Sequence, residues 1–267
     1  MDLLQHANNV RKKIIKLTCE AGSGHPGGSL SATDIMTYLY FEELGIDESN
    51  IDSIKRNRFV LSKGHAAPCL YSVLSEKGFY SEEEILTCRK IGSPFQGHPN
   101  MNYVRGVDMS TGSLGQGVSC AVGMALSHKL HKEDYRVYTL LGDGECQEGL
   151  VWEAAMAAAH YHLDNLCVIV DCNHLQIDGR VEDVMNPYPM DEKFKAFGFE
   201  VICIDGHNMD EIKHAFDVAR SIKGKPTAII ANTVKGKGVS FMEDQAGWHG
   251  VAPNCEQRDE ALKELGE

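Results

Sequence analysis

Asp143 stands between two glycines, in Gly142-Asp143-Gly144, directly after the apolar run Val137-Tyr138-Thr139-Leu140-Leu141. A carboxylate at the tip of a buried strand, flanked by glycine, leaves room for a bulky charged group against the backbone. A second apolar run, Leu166 to Val170, is followed closely by Asn173. One helix joining the two runs makes Asp143 and Asn173 neighbours at adjacent strand ends. Both offer oxygen, and no Cys/His set of the kind zinc prefers lies beside them. An octahedral cation such as Mg2+ takes few protein ligands and completes its shell with phosphate oxygens and water. The loop after Asn173 can add a backbone carbonyl, and Leu175 is well placed for it. Lys235, in Lys235-Gly236-Lys237-Gly238, is a cation in a glycine-rich loop, which suits an anionic phosphate. Taken singly, each has an ordinary reading: an acidic turn capping the next helix, and a solvated basic turn.

Elements that alternate along the chain must position these groups. Leu4, Ala7, Val10, Ile14 and Leu17 have the spacing of one helix face, and a second helix is predicted over about 31–43. Strand-like runs follow at Phe59 to Leu61, Val137 to Leu141, Leu166 to Val170, Val201 to Ile204 and Thr227 to Ala231. Helical stretches fall between them, notably Gln116 to Leu130, Leu150 to Leu163 and Met209 to Ile222. This alternation predicts an α/β fold, a parallel sheet with helices on both faces. Ligands of such sheets bind at the carboxyl ends of the strands. The distinctive polar clusters sit there: Ser62-Lys63-Gly64-His65, Gly142-Asp143-Gly144, Asp171-Cys172-Asn173, Asp205-Gly206-His207 and Lys235 to Gly238. No repeat or linker divides the chain, so residues 1–267 are expected to form one domain.

Composition narrows the function. The chain has 267 residues, 43% hydrophobic and 24% charged, ordinary for a globular protein. A formal net charge of −12 argues against a general nucleic-acid surface. No stretch is apolar and long enough to span a bilayer, and the start lacks a signal-peptide pattern, so a cytoplasmic protein is expected. Nine cysteines without a Cys-x-x-Cys pair read as reduced, mostly buried thiols. The turn Gly112-Ser113-Leu114-Gly115-Gln116-Gly117 lacks the Gly-x-Gly-x-x-Gly order of a dinucleotide site.

The stretch from Gly142 to Gly179, opening with Gly-Asp-Gly and reaching Asn173 after the next strand, resembles the thiamine diphosphate-binding motif. Its interior, "EGLVWEA" and "LDNL", is similar to transketolases in particular. The likeness continues through "SGHPGGSLS", "RFVLSKGHAAPCLY", "GHP", "TGSLGQG" and "WHG", nearly the whole chain. The resemblance implies Mg2+ held by Asp143, Asn173 and the Leu175 carbonyl. It implies that His65, Gly144 and Lys235 meet the diphosphate, and that Gly112, Ser113 and Leu114 hold the aminopyrimidine through backbone groups. His25, His98 and His249 match the histidines of the family's substrate channel, with His65 close by. An imidazole there can donate to a developing alkoxide or move a proton. His128, His131, His160, His162 and His214 fall on expected helices and read as surface or packing residues. His174 has no role from the resemblance, and His207 reads as structural.

The implied activity is transfer of a two-carbon ketol unit from a ketose phosphate, or a similar anionic ketose, to an aldose. Family members carry a pyrimidine-binding domain after this one, with the Glu that activates the cofactor. The resemblance therefore implies the amino-terminal subunit of a split transketolase, with those domains on a partner chain in an α2β2 assembly. Glu148 would face that partner, and Glu145 lies on the diphosphate side. A 1-deoxyxylulose-5-phosphate synthase, an α-ketoacid dehydrogenase α subunit or a non-catalytic domain are the alternatives. The histidines of "SGHPGG", "SKGHAAP" and "WHG" argue against both of the alternative enzymes.

Overall fold

The computed structural model describes residues 2–267. The first helix, α1 (Leu3–Ala21), starts where the Asp2 side chain accepts the Gln5 amide, and it stops at Gly22. Two short helices follow, α2 (Pro26–Ser31) and α3 (Thr33–Tyr38), the second running into a wider turn over Leu39–Glu43. This segment differs from the single helix predicted over 31–43. It begins earlier because Pro26 has its ring-fixed φ at the first helical position, and it breaks at Ala32.

The sheet strands then alternate with helices. Strand β1 (Arg58–Leu61) leads into α4 (Ala67–Glu76) and α5 (Glu82–Ile85). After α6 (Gln116–His131) come β2 (Val137–Gly142), α7 (Gly149–His160) and β3 (Leu166–Cys172). A small hairpin, β4 (Leu175–Gln176) with β5 (Gly179–Arg180), precedes α8 (Val181–Met185) and α9 (Met190–Ala196). The chain closes with β6 (Glu200–Asp205), α10 (Met209–Ser221), β7 (Thr227–Asn232) and α11 (Cys255–Glu264). The helix predicted to reach Leu163 ends sooner, because His162 takes a left-handed φ of 52°. His162 therefore lies beyond the helix it was expected to occupy.

Five parallel strands form the main sheet in the order β1-β2-β3-β7-β6. Central β3 is buried at every position, as a strand covered on both faces must be. Its side chains alternate between two cores. Leu166, Val168, Val170 and Cys172 pack with α6, α7 and α9, while Cys167 and Ile169 pack toward α1, α3, α4 and α10. Each fully buried Val, Ile or Leu contributes roughly 1.5–3 kcal/mol by leaving water. The register pairs Gly142 with Asp171 and Cys172 with Asn232, so the carboxyl ends of β2, β3 and β7 finish level. That edge carries the polar loops.

All nine cysteines are free. Cys69, Cys88, Cys146, Cys167 and Cys172 are buried, while Cys203 and Cys255 are exposed. Among the described residues, no helix is long and apolar enough to cross a membrane.

Candidate active site

Asp143 follows β2 with 2% of its surface exposed. One carboxylate oxygen, Oδ1, accepts the Gly144 amide at 2.7 Å; the other, Oδ2, accepts the His174 amide at 2.6 Å and the Tyr188 hydroxyl at 2.9 Å. Burial and the charge of Asp171 push the Asp143 carboxyl upward, and these three donors oppose that shift. Asn173 directly follows β3. Its Oδ1 accepts the Leu175 amide at 3.2 Å, and its Nδ2 donates to Ser31 Oγ at 3.3 Å. The chain turns between them at His174, which has a left-handed φ of 61°.

Lys235 reaches the same place from the loop after β7. Its ammonium donates to the Leu175 carbonyl at 2.7 Å and lies 2.9 Å from His249 Nδ1. Burial and neighbouring Lys63 bring Lys235 down to about 8, against the pull of Asp143 and Asp171. A cation therefore already sits on the carbonyl that the sequence assigned to a metal. Asp143, Asn173, Leu175 and Lys235 line one pocket, together with Gly144, Leu114, His65 and His249.

Three of the four chosen histidines meet directly. The His25, His65 and His249 rings lie 5.3, 5.4 and 5.2 Å apart pairwise. Burial is the main cause holding all three low, helped by nearby cations: His25 to about 4, His249 to about 3, and His65 well below the usual imidazole range. All three rings are neutral at pH 7, and His25 Nδ1 is buried without a hydrogen-bond partner. His98 stands apart from the triplet and is exposed, yet its ring faces the Gly112 turn: a Cβ on Gly112 would lie 3.1 Å from it. That turn also packs against the loop after β1, where a Cβ on Gly64 would come within 2.7 Å of the Gly112 amide. Only glycine permits the approach.

Two charged groups at the site, Lys63 and Asp171, were not singled out from the sequence. Lys63, 1% exposed, lines the pocket and pairs with wholly buried Asp171 at 2.5 Å. Ser31 Oγ at 2.6 Å and the Thr233 hydroxyl also donate to Asp171. Burial alone would raise the Asp171 carboxyl; Lys63 and the hydroxyls outweigh it and hold it low. Lys63 and Asp171 did fall within strand-end clusters, and a charge beside an apolar run was their signal. Glu145 is buried: Oε1 accepts Ser62 Oγ at 2.5 Å and the Gly115 amide at 2.9 Å, and Oε2 accepts the Gly142 amide at 3.1 Å. Glu148 is exposed at the pocket rim. His207 is a structural link, its Nδ1 2.7 Å from Asp34 Oδ2 and its Nε2 accepting the Val234 amide.

The sequence profile described as "Transketolase, thiamine diphosphate binding domain" matches residues 4–266. The chain belongs to the transketolase family. It is 43% identical to one of the subunits of the apulose-4-phosphate transketolase of Phocaeicola vulgatus, with 99% of this chain aligned to 93% of that one. It is also 43% identical to a 6-deoxy-6-sulfo-D-fructose transketolase subunit of a Clostridium species, covering 99% of this chain and 96% of the relative. Human transketolase is 44% identical, but the match takes in only 41% of its length. Solved transketolases from Campylobacter jejuni and Leishmania mexicana superpose with TM-scores of 0.93 and 0.94 at 36% and 30% identity. All of this chain is covered there, against 43% and 42% of theirs, so it corresponds to about two fifths of those transketolases. The family assignment makes this a thiamine diphosphate-binding domain with the fold expected from the strand–helix alternation.

The donor set suits that cofactor and its cation. A carboxylate, a side-chain amide and a main-chain carbonyl are oxygen ligands of the kind a hard divalent cation takes. Among the described residues, no cluster of three His, Cys, Asp or Glu forms a competing zinc-type site.

Proposed function

We propose that this chain is the diphosphate-binding subunit of a two-chain transketolase, completed by a partner subunit in an α2β2 assembly. The observation that carries the reading is the convergence on one pocket of the Asp143, Asn173 and Leu175 oxygens, the Lys235 ammonium and neutral imidazoles. Thiamine diphosphate, when bound, supplies the electron sink for breaking a carbon–carbon bond beside a carbonyl. Asp143, Asn173 and the Leu175 carbonyl would hold Mg2+. Lys235, His65 and the Gly144 amide would meet the diphosphate, whose charge favours the ammonium form of Lys235. Backbone groups of Gly112, Ser113 and Leu114 would orient the aminopyrimidine. A neutral imidazole has one N–H donor and one acceptor nitrogen. His25 and His249 can therefore donate to substrate oxygens or take a proton from them without placing a positive charge beside Lys235, and His98 can do so from the Gly112 turn.

The substrate we infer is a ketose with an anionic tail, passing two carbons to an aldose. Names of the relatives support this: one acts on a sugar phosphate and another on a sulfonated sugar. The test is copurification of the partner chain, followed by a screen of ketose donors carrying phosphate, sulfonate or no charge. Turnover of anionic donors by the pair and by neither chain alone is expected. Turnover by this chain alone, or no ketol transfer by the assembled pair, would reject the proposal.

A further inference from the structure

Tyr188 lies in the loop between α8 and α9, outside every strand-end cluster. Its hydroxyl donates to Asp143 Oδ2 at 2.9 Å, the oxygen that also accepts the His174 amide. The Tyr188 ring stacks on the His174 imidazole, with centroids 5.0 Å apart and planes 13° from parallel. His174 Nδ1 in turn lies 2.6 Å from Glu182 Oε1 on α8. Thus a line of contacts runs from α8 through two stacked rings to the carboxylate. We propose that Tyr188 is a positioning residue that, with the His174 amide, fixes the Asp143 carboxylate for a divalent cation.

The chemistry of a carboxylate supports this. An ionised carboxylate has about four acceptor sites over its two oxygens. Gly144, His174 and Tyr188 use three of them, and Asp143 is almost wholly buried, so its rotation is fixed and an acceptor direction is left for a cation. Groups that orient a metal ligand through its far side tune affinity without touching the metal. The inference rests on the reading of Asp143 as a cation ligand, and the experiment separates the two.

Mg2+ is titrated calorimetrically into the metal-free full chain, with the partner it copurifies with, at fixed saturating thiamine diphosphate. Tyr188→Phe keeps the ring and its stacking and removes only the hydroxyl. Its Kd for Mg2+ should rise about 10-fold or more, the usual scale for a lost outer partner. The melting temperature of the metal-free protein should stay near that of the wild type. Asp143→Asn should abolish the binding. A Mg2+ affinity unchanged in Tyr188→Phe, while Asp143→Asn abolishes it, would overturn the role of Tyr188 alone, and so would a fall in melting temperature with unchanged affinity. Unchanged binding in Asp143→Asn would remove the cation site itself.

Discussion

Neutral imidazoles packed beside two buried lysines give this site its acid–base character. His25 is held at about 4 in the folded chain against 6.5 for the free group, so between those values the unfolded chain binds more protons. The stability linked to neutral His25 is complete above pH 6.5 and is lost as the pH falls toward 4. Thermal melts of the metal-free chain should therefore decline across that window, and His25→Asn should decline less steeply; parallel slopes would refute the assignment. His98 is also held below the usual imidazole range, by burial and the charge of Arg89, but it is more exposed and set against the Gly112 turn. His98→Ala should lower kcat/KM for the donor by roughly 10²-fold, the scale of a lost acid–base or oxyanion contact, with little change in thiamine diphosphate affinity. Parallel loss of both would place this histidine on the cofactor instead. Asp143, Asn173 and Lys235 were legible because strand-end positions or glycine neighbours mark them locally, whereas His25, His98, His249 and the Gly112 turn were named only through the family resemblance. Tyr188 was not, since nothing near it in the chain announces Asp143.

At the scale of elements, one carboxylate ties three loops together. Glu145 accepts from Ser62 after β1, from Gly115 before α6 and from Gly142 at the end of β2. Glu145→Ala would leave those buried donors unpaired and should cost about 2 kcal/mol or more. It should also weaken thiamine diphosphate binding, because the Gly112 to Gly115 turn loses its anchor. Calorimetry and thermal melts check both; an unchanged cofactor Kd would show that the turn is held without Glu145. Strands were easier to read than helices. Continuous apolar runs mark β2, β3 and β7, since both faces of those strands are buried. The helix predicted over 31–43 corresponds to α3 and the turn after it, whereas α2 was not predicted, because its Pro26-Gly27-Gly28-Ser29-Leu30-Ser31 sequence carries no apolar stripe.

By the proposal, the whole molecule offers the cation-, diphosphate- and substrate-binding groups of a transketolase, on a chain matching about two fifths of the solved enzymes. The acid that activates the aminopyrimidine belongs, by the proposal, to the partner. Exchange of the thiamine diphosphate C2 proton for deuterium, followed by NMR, should stay near the free-cofactor rate with this chain alone. Adding the partner should accelerate it by orders of magnitude. Rapid exchange on the isolated chain would mean that it contains its own activating acid. By itself, the sequence determined the strand order along the chain, the polar clusters at strand ends and the family, because glycines, apolar runs and motif spacing are local properties. Only the tertiary structure decided that the His25, His65 and His249 rings come together, that Lys63 neutralises Asp171, and that Glu145 and Tyr188 face inward. Those contacts join segments distant in the chain, and the charge states they impose depend on burial, which emerges only when the sheet and its helices close around them.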